Sequence, residues 1–182
     1  MKNKLFVTPE FATAQEIKRV RTRLGLTQKE FAQLINCSKA TIERWETTEG
    51  PISGNIVLLL ILLERNPEYV EDMKVPEKVY PLRLWYMHNQ TVCTMIEVDE
   101  LRKRVKIKNY TENPFFRAFG NREMPDYEEY QEFLKSRCFP ENRDKMKLIL
   151  KDLGLPFYDP FMIIEKTEGR MAEDSFWIKI ER

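Results

Sequence analysis

The sequence predicts an all-α helix-turn-helix domain of about five helices, followed by an α+β domain with an antiparallel sheet and two helices. Three observations predict it. Between Glu16 and Glu46 three short amphipathic stretches are separated by sharp stops, and each is opened by a hydroxyl residue placed to cap a helix. Residues 56–63 then form an unbroken apolar run of eight. Beyond Pro81 the apolar period changes from helical to strand-like.

In chain order, residues 1–12 read as an arm with Lys2 and Lys4 as its cations. The first helix begins after Thr13, because Thr13-x-x-Glu16 is a capping box. Ile17, Val20 and Leu24 make its apolar stripe, and Gly25 supplies the left-handed stop. Thr27-x-x-Glu30 opens the second helix, with Phe31, Leu34 and Ile35 facing inward. Asn36-Cys37 makes the turn, and Ser38 caps a third helix whose Ile42 and Trp45 belong to the core. Ser53 or Gly54 opens the fourth. A helix apolar on all sides needs cover on all sides, so a second subunit or the second domain is expected against it. Asn66-Pro67 ends it, and Pro67–Met73 adds a short fifth helix. The first domain is therefore set at residues 14–73, the linker at Lys74–Pro81 and the second domain at 82–182.

In the second domain Leu82–Met87, Thr91–Val98 and Val105–Lys108 are expected as strands of an antiparallel meander. Helices are expected over residues 125–138 and 141–153, the latter ended by Gly154. Phe161–Ile164 and Phe176–Ile180 are read as short returning strands or extended segments. Phe115, Phe116 and Phe119 are read as an anchor in the core, or, if exposed, as the mark of an interface.

Charged residues make up 32% of the 182, but they nearly cancel to a formal net charge of +1, which excludes a bulk polycation. The cations are local: residues 14–48 hold seven against four anions. Cys37, Cys93 and Cys138 are odd in number and widely spaced, which argues against a disulfide framework or a zinc site and for a reducing compartment. The N-terminus lacks an adequate apolar segment for a signal peptide, and the longest apolar run falls far short of the roughly 20 residues a membrane span needs. The expectation is a soluble cytoplasmic protein with no membrane contact. Phosphate-cradling glycine loops are missing from the sequence. His88 sits alone in a turn, and Cys138 has cations nearby at Arg137 and Arg143 but no base. Asp126, Glu128, Glu129 and Glu132 suit a helix first turn, with a divalent metal as the alternative. No catalytic residue, cofactor or metal is expected. Arg137, Arg143, Lys166, Arg170 and Lys179 read as ordinary solvated surface, or alternatively as a basic patch.

The segment LGLTQKEFAQLINCSKATIERWE resembles the lambda-repressor-like family, also called Xre or Cro/C1-type helix-turn-helix proteins. The resemblance spans roughly residues 14–72. It implies double-stranded DNA as the partner, with the third helix in the major groove and a homodimer on an inverted repeat whose half-sites lie ~34 Å apart. It implies that Gln28 bonds a backbone phosphate, that Lys39, Ala40 and Arg44 face base edges, and that Ser38 and Thr41 touch phosphate or base. Chemically, Arg44 or Lys39 can donate to guanine, and Ala40 or the Thr41 methyl can meet a thymine methyl. Glu43 can accept from cytosine or orient Arg44. Ser53 and Asn55, near the start of the fourth helix, are placed to bind phosphate through backbone donors. Arg21 and Glu46 match a pair that forms a salt bridge in this family. The segment YDPFMIIEKTEGRMAEDSFWIKI resembles the C-terminal regions of uncharacterised bacterial mobile-element regulators, which adds no mechanism.

The expected function is a sequence-specific transcriptional regulator, a repressor, whose second domain dimerises, senses or recruits. Two alternatives stay open. One is an antitoxin-type protein that binds a toxin through the second domain and autoregulates its operon. The other is an enzyme tethered to DNA, using Asp126 or Glu129 with a metal.

Overall fold

The computed structural model describes residues 5–182, so Lys2 and Lys4 lie outside the described residues. The chain divides into two units, the first ending at Val75 and the second beginning at Pro76.

The first unit holds helices α1 (Ala14–Arg23), α2 (Gln28–Leu34), α3 (Lys39–Thr47), α4 (Asn55–Arg65) and α5 (Glu68–Met73). Local chemistry fixes their ends. Thr13 Oγ1 accepts from the Glu16 amide at 3.3 Å while the Glu16 carboxylate accepts from the Thr13 amide at 2.7 Å; Thr27 and Glu30 repeat the exchange. These bonds hold the Glu16 and Glu30 carboxyls below their ordinary values. α1 stops because Gly25 takes φ 69°, which lets the Leu26 amide reach back to the Arg21 carbonyl at 3.1 Å. Asn36, at φ 54°, does the same after α2, with the Cys37 amide on the Ala32 carbonyl at 2.9 Å. That second stop is the turn between α2 and α3. Ile17, Val20, Phe31, Ile42, Ile56, Leu60 and Val70 form the shared core. Each contributes roughly 1.5–3 kcal/mol by leaving water.

Ala12 and Ile52 exchange backbone bonds of 2.8 and 2.9 Å, so the arm read over residues 1–12 is tied down at its last residue, while Leu5, Phe6 and Val7 are exposed. α4 buries Ile56, Val57 and Leu60 within the unit but leaves Leu58 50% and Leu62 49% exposed.

The second unit is built on an antiparallel four-stranded sheet of β1 (Leu82–His88), β2 (Thr91–Asp99), β3 (Arg104–Asn109) and β4 (Phe176–Glu181), in spatial order β3-β2-β1-β4. Leu84 pairs with Ile96 and with Ile180, and Ile96 with Ile107, so one face is a continuous apolar layer. Helices α6 (Tyr127–Ser136), α7 (Met146–Asp152) and α8 (Pro160–Thr167) bring Tyr130, Phe133, Leu134, Leu150, Ile163 and Ile164 into this core. Burial, with the Glu100 carboxylate close by, pushes the Tyr130 hydroxyl far above its ordinary range. The other face carries a buried ion pair. Arg83 Nε donates to Glu97 Oε1 at 2.9 Å, Arg83 Nη2 donates to the Pro76 carbonyl at 2.8 Å, and the Val79 amide donates to Glu97 at 3.1 Å. The segment from Pro76, expected as linker, is thus fastened to the sheet.

Three expectations fail here. Residues 160–167 are helix, not strand: the Asp159 carboxylate caps the Met162 amide at 2.8 Å and Pro160 occupies the first turn. The helix expected from residue 141 starts only at Met146, because Lys145 sits in the left-handed region at φ 61°. Phe116 and Phe119 pack on the core, but Phe115 is 90% exposed.

Candidate nucleic-acid interface

α3 is held from one side and open on the other. Ile42 is fully buried and Trp45 half-buried, fixing the helix against α1 and α2. With 3.6 residues per turn, Lys39, Ala40, Glu43, Arg44 and Thr47 fall together on the opposite side, and all are exposed. Lys39 Nζ lies 2.7 Å from Glu43 Oε1, so these two form an exposed pair one turn apart. The Arg44 guanidinium has no ion pair among the described residues. Thr47 was not singled out from the sequence, although its place one turn beyond Glu43 is the signal that finds it; its hydroxyl donates to the Glu43 carbonyl at 2.9 Å.

The two hydroxyls before and within the first turn are used by the fold. Ser38 Oγ accepts from the Thr41 amide at 3.0 Å and lies 2.8 Å from Thr41 Oγ1, so Ser38 and Thr41 build the cap. Thr41 is half-buried, less open than Lys39 and Ala40.

Gln28 opens α2. Its amide donates from Nε2 to Glu46 Oε2 at 2.8 Å. Glu46 also takes Arg21 through two bonds of 2.6 and 3.1 Å, and Arg21 donates to the Leu26 carbonyl at 2.8 Å. This cluster ties α1, the start of α2 and the end of α3 together. Burial opposes the Glu46 charge, but the bonds from Arg21 and Gln28 outweigh it and hold the carboxyl below its ordinary value. Gln28 keeps a second amide hydrogen and its carbonyl oxygen for another partner.

Ser53 and Asn55 are exposed beside Gly54, which takes φ 106° as the N-cap of α4 and supplies no side-chain acceptor. That helix start is a place where an anion is electrostatically favoured. The other cations of α1 are partly engaged: Glu64 takes Arg19 at 2.7 Å and Arg23 at 3.3 Å.

At Arg137 the second unit overturns both readings, the solvated surface and the basic patch. That side chain is 7% exposed, and its guanidinium bonds Asp174 at 2.7 and 3.0 Å, the Gly169 carbonyl at 2.8 and 3.1 Å and the Phe176 carbonyl at 3.1 Å. Arg170 lies over the Trp177 ring at 4.7 Å and pairs with Glu168 at 2.7 Å. The Cys138 thiol is buried and pushed up to about 12, chiefly by desolvation. Asp126 and Glu129 form the capping box of α6, and Glu129 takes Arg122 at 2.7 Å. His88 packs edge-on against Phe116 at 4.7 Å.

Comparison with known proteins bears on the first unit. A family model described as the antitoxin component of a bacterial toxin-antitoxin system, MqsA, matches residues 2–74. Antitoxin HigA-2 of Vibrio cholerae serotype O1 is 36% identical over 53 residues, which are 29% of this chain and 51% of that protein. The chain thus spans about half the length of that curated relative. No solved structure matches. The N-terminal helical unit is therefore similar to antitoxins.

Proposed function

We propose that this protein is a DNA-binding antitoxin: its first unit reads an operator through α3, and its second unit holds a toxin. The observation that carries the reading is the outward face of α3, in a segment whose family match is to antitoxins. That face presents two cations, a carboxylate and the Ala40 methyl in reach of base edges. Arg44 supplies a fork for guanine O6 and N7, and Lys39, once released from Glu43, a second donor. Gln28 and the open start of α4 at Ser53 and Asn55 anchor flanking phosphates and set the helix in register. The binding unit is a cytoplasmic homodimer on an inverted repeat, which the half-exposed Leu58 and Leu62 of α4 support. The protein acts by binding, not by catalysis.

The test has two arms. Co-expression with the product of the adjacent gene should abolish growth arrest caused by that product alone, and duplex carrying the protein's own promoter should bind with salt-dependent affinity. Binding without rescue would leave a plain repressor; rescue without binding would leave an antitoxin without autoregulation.

A further inference from the structure

We propose that the outer edge of β3 is a docking strand for an acidic, extended segment of a partner protein, which would join the sheet as a fifth strand. This rests on the reading that the second unit binds a protein partner, and it names the surface. Residues 102–108 run Arg-Lys-Arg-Val-Lys-Ile-Lys, five cations and two apolar residues with no anion. Val105 and Ile107 pack on the core, so Arg104 and Lys106 stand on the opposite side of the strand. Lys103, Arg104 and Lys106 have no ion pair among the described residues. Glu97, which lies across from Lys106, is already committed to Arg83. Leu101, in the preceding turn, is 94% exposed.

Position adds to charge. β3 pairs with β2 alone, so half of its backbone donors and acceptors face outward. β4 is the other edge, and there the Ile178 amide donates to the Glu168 carbonyl at 2.7 Å, while the strand carries Lys179 and Glu181 in balance. A second copy is excluded as the occupant, since β3 against β3 would oppose cation to cation. The occupant must be anionic. Nucleic acid would use the cations but leave the backbone row unmatched; an acidic strand satisfies both. The same cations turn away neutral and basic strands.

The test uses the full chain and a labelled ten-residue peptide of alternating Glu and Val. Its controls are a Gln-Val counterpart and a Glu-Val peptide N-methylated at alternate positions to remove one row of donors. Anisotropy should give binding about tenfold tighter for the Glu-Val peptide than for either control, lost by about tenfold in Arg104→Glu/Lys106→Glu. Should that variant misfold by circular dichroism, Arg104→Gln/Lys106→Gln takes its place with a smaller loss. Amide exchange should slow along β3 when the peptide binds. No binding, or equal binding of the N-methylated peptide, overturns strand addition. If the variants instead weaken random duplex DNA and leave the peptide unaffected, the edge belongs to nucleic acid. Because the peptide needs no toxin, failure of toxin rescue with peptide binding intact would sink the antitoxin reading and spare the docking strand.

Discussion

Arg44 on α3 and Arg137 at the end of α6 are the same residue type with opposite fates. Around Arg137 a carboxylate and two carbonyls converge, and the side chain is buried as the clamp of residues 169–176. Around Arg44 no carboxylate converges among the described residues, and the residue is exposed. Arg21, one helix away from Arg44, follows the Arg137 pattern through Glu46. An arginine's role is set by the acceptors the fold brings to it, which lie far away in sequence.

The largest effect is expected at the Arg137 clamp. Arg137→Ala should cost on the order of 3 kcal/mol in urea unfolding of the second unit, because it strands Asp174 and two carbonyls. A loss under about 1 kcal/mol would make the clamp dispensable. Arg44→Ala should leave unfolding within about 0.5 kcal/mol of the parent. A large loss there would mean that Arg44 has structural partners. Gly169→Ala tests the clamp's backbone. Gly169 takes φ 61°, and a Cβ there would stand 3.3 Å from Arg137 Cβ and Ile178 Cδ1, so about 1–2 kcal/mol should be lost. An unchanged midpoint would show that the segment can shift.

Both clamps depend on ionised carboxylates. The hydrogen bond from Arg137 holds the Asp174 carboxyl below its ordinary value, and Glu46 is likewise low. Carboxyls depressed in the folded state add stability above their unfolded values, about 4, and lose it as pH falls through the folded ones. Urea midpoints should therefore fall below about pH 4 in both units, and midpoints that hold or rise would contradict the clamps. The smallest effect is at Gln28: Gln28→Ala should weaken all duplexes alike by a few-fold, whereas sequence-selective loss would make it a base reader.

The first unit was readable because its signals are local. Thr13, Thr27 and Ser38 each act within three residues, and Gly25 and Asn36 stop helices through bonds spanning one turn. β3 followed from the alternation of Val105 to Lys108, and β1 and β2 from apolar runs bounded by turn residues. α8 is hidden because Phe161–Ile164 is equally apolar as strand or helix; the Asp159-Pro160 cap is the local signal that separates the two. The burial of Arg137 is not legible in the sequence because Asp174 and Gly169 reach it across more than thirty residues. The fastening of residues 76–79 through Arg83 and Glu97 is hidden for the same reason. At α3, the residues expected to face DNA came from the family resemblance and only the inward Ile42 and Trp45 from the helix pattern, while the Lys39–Glu43 pair and the Gln28–Glu46 bond depend on rotamers that spacing does not fix.

The most direct test selects fragments from a random duplex pool with the parent and with Lys39→Ala/Arg44→Ala, both checked for unchanged melting. The parent should enrich one inverted repeat, and the variant should lose that preference by the roughly 1–3 kcal/mol per base contact that bidentate readout supplies. Enrichment of the same repeat to the same degree by both proteins would contradict α3 as the reading helix.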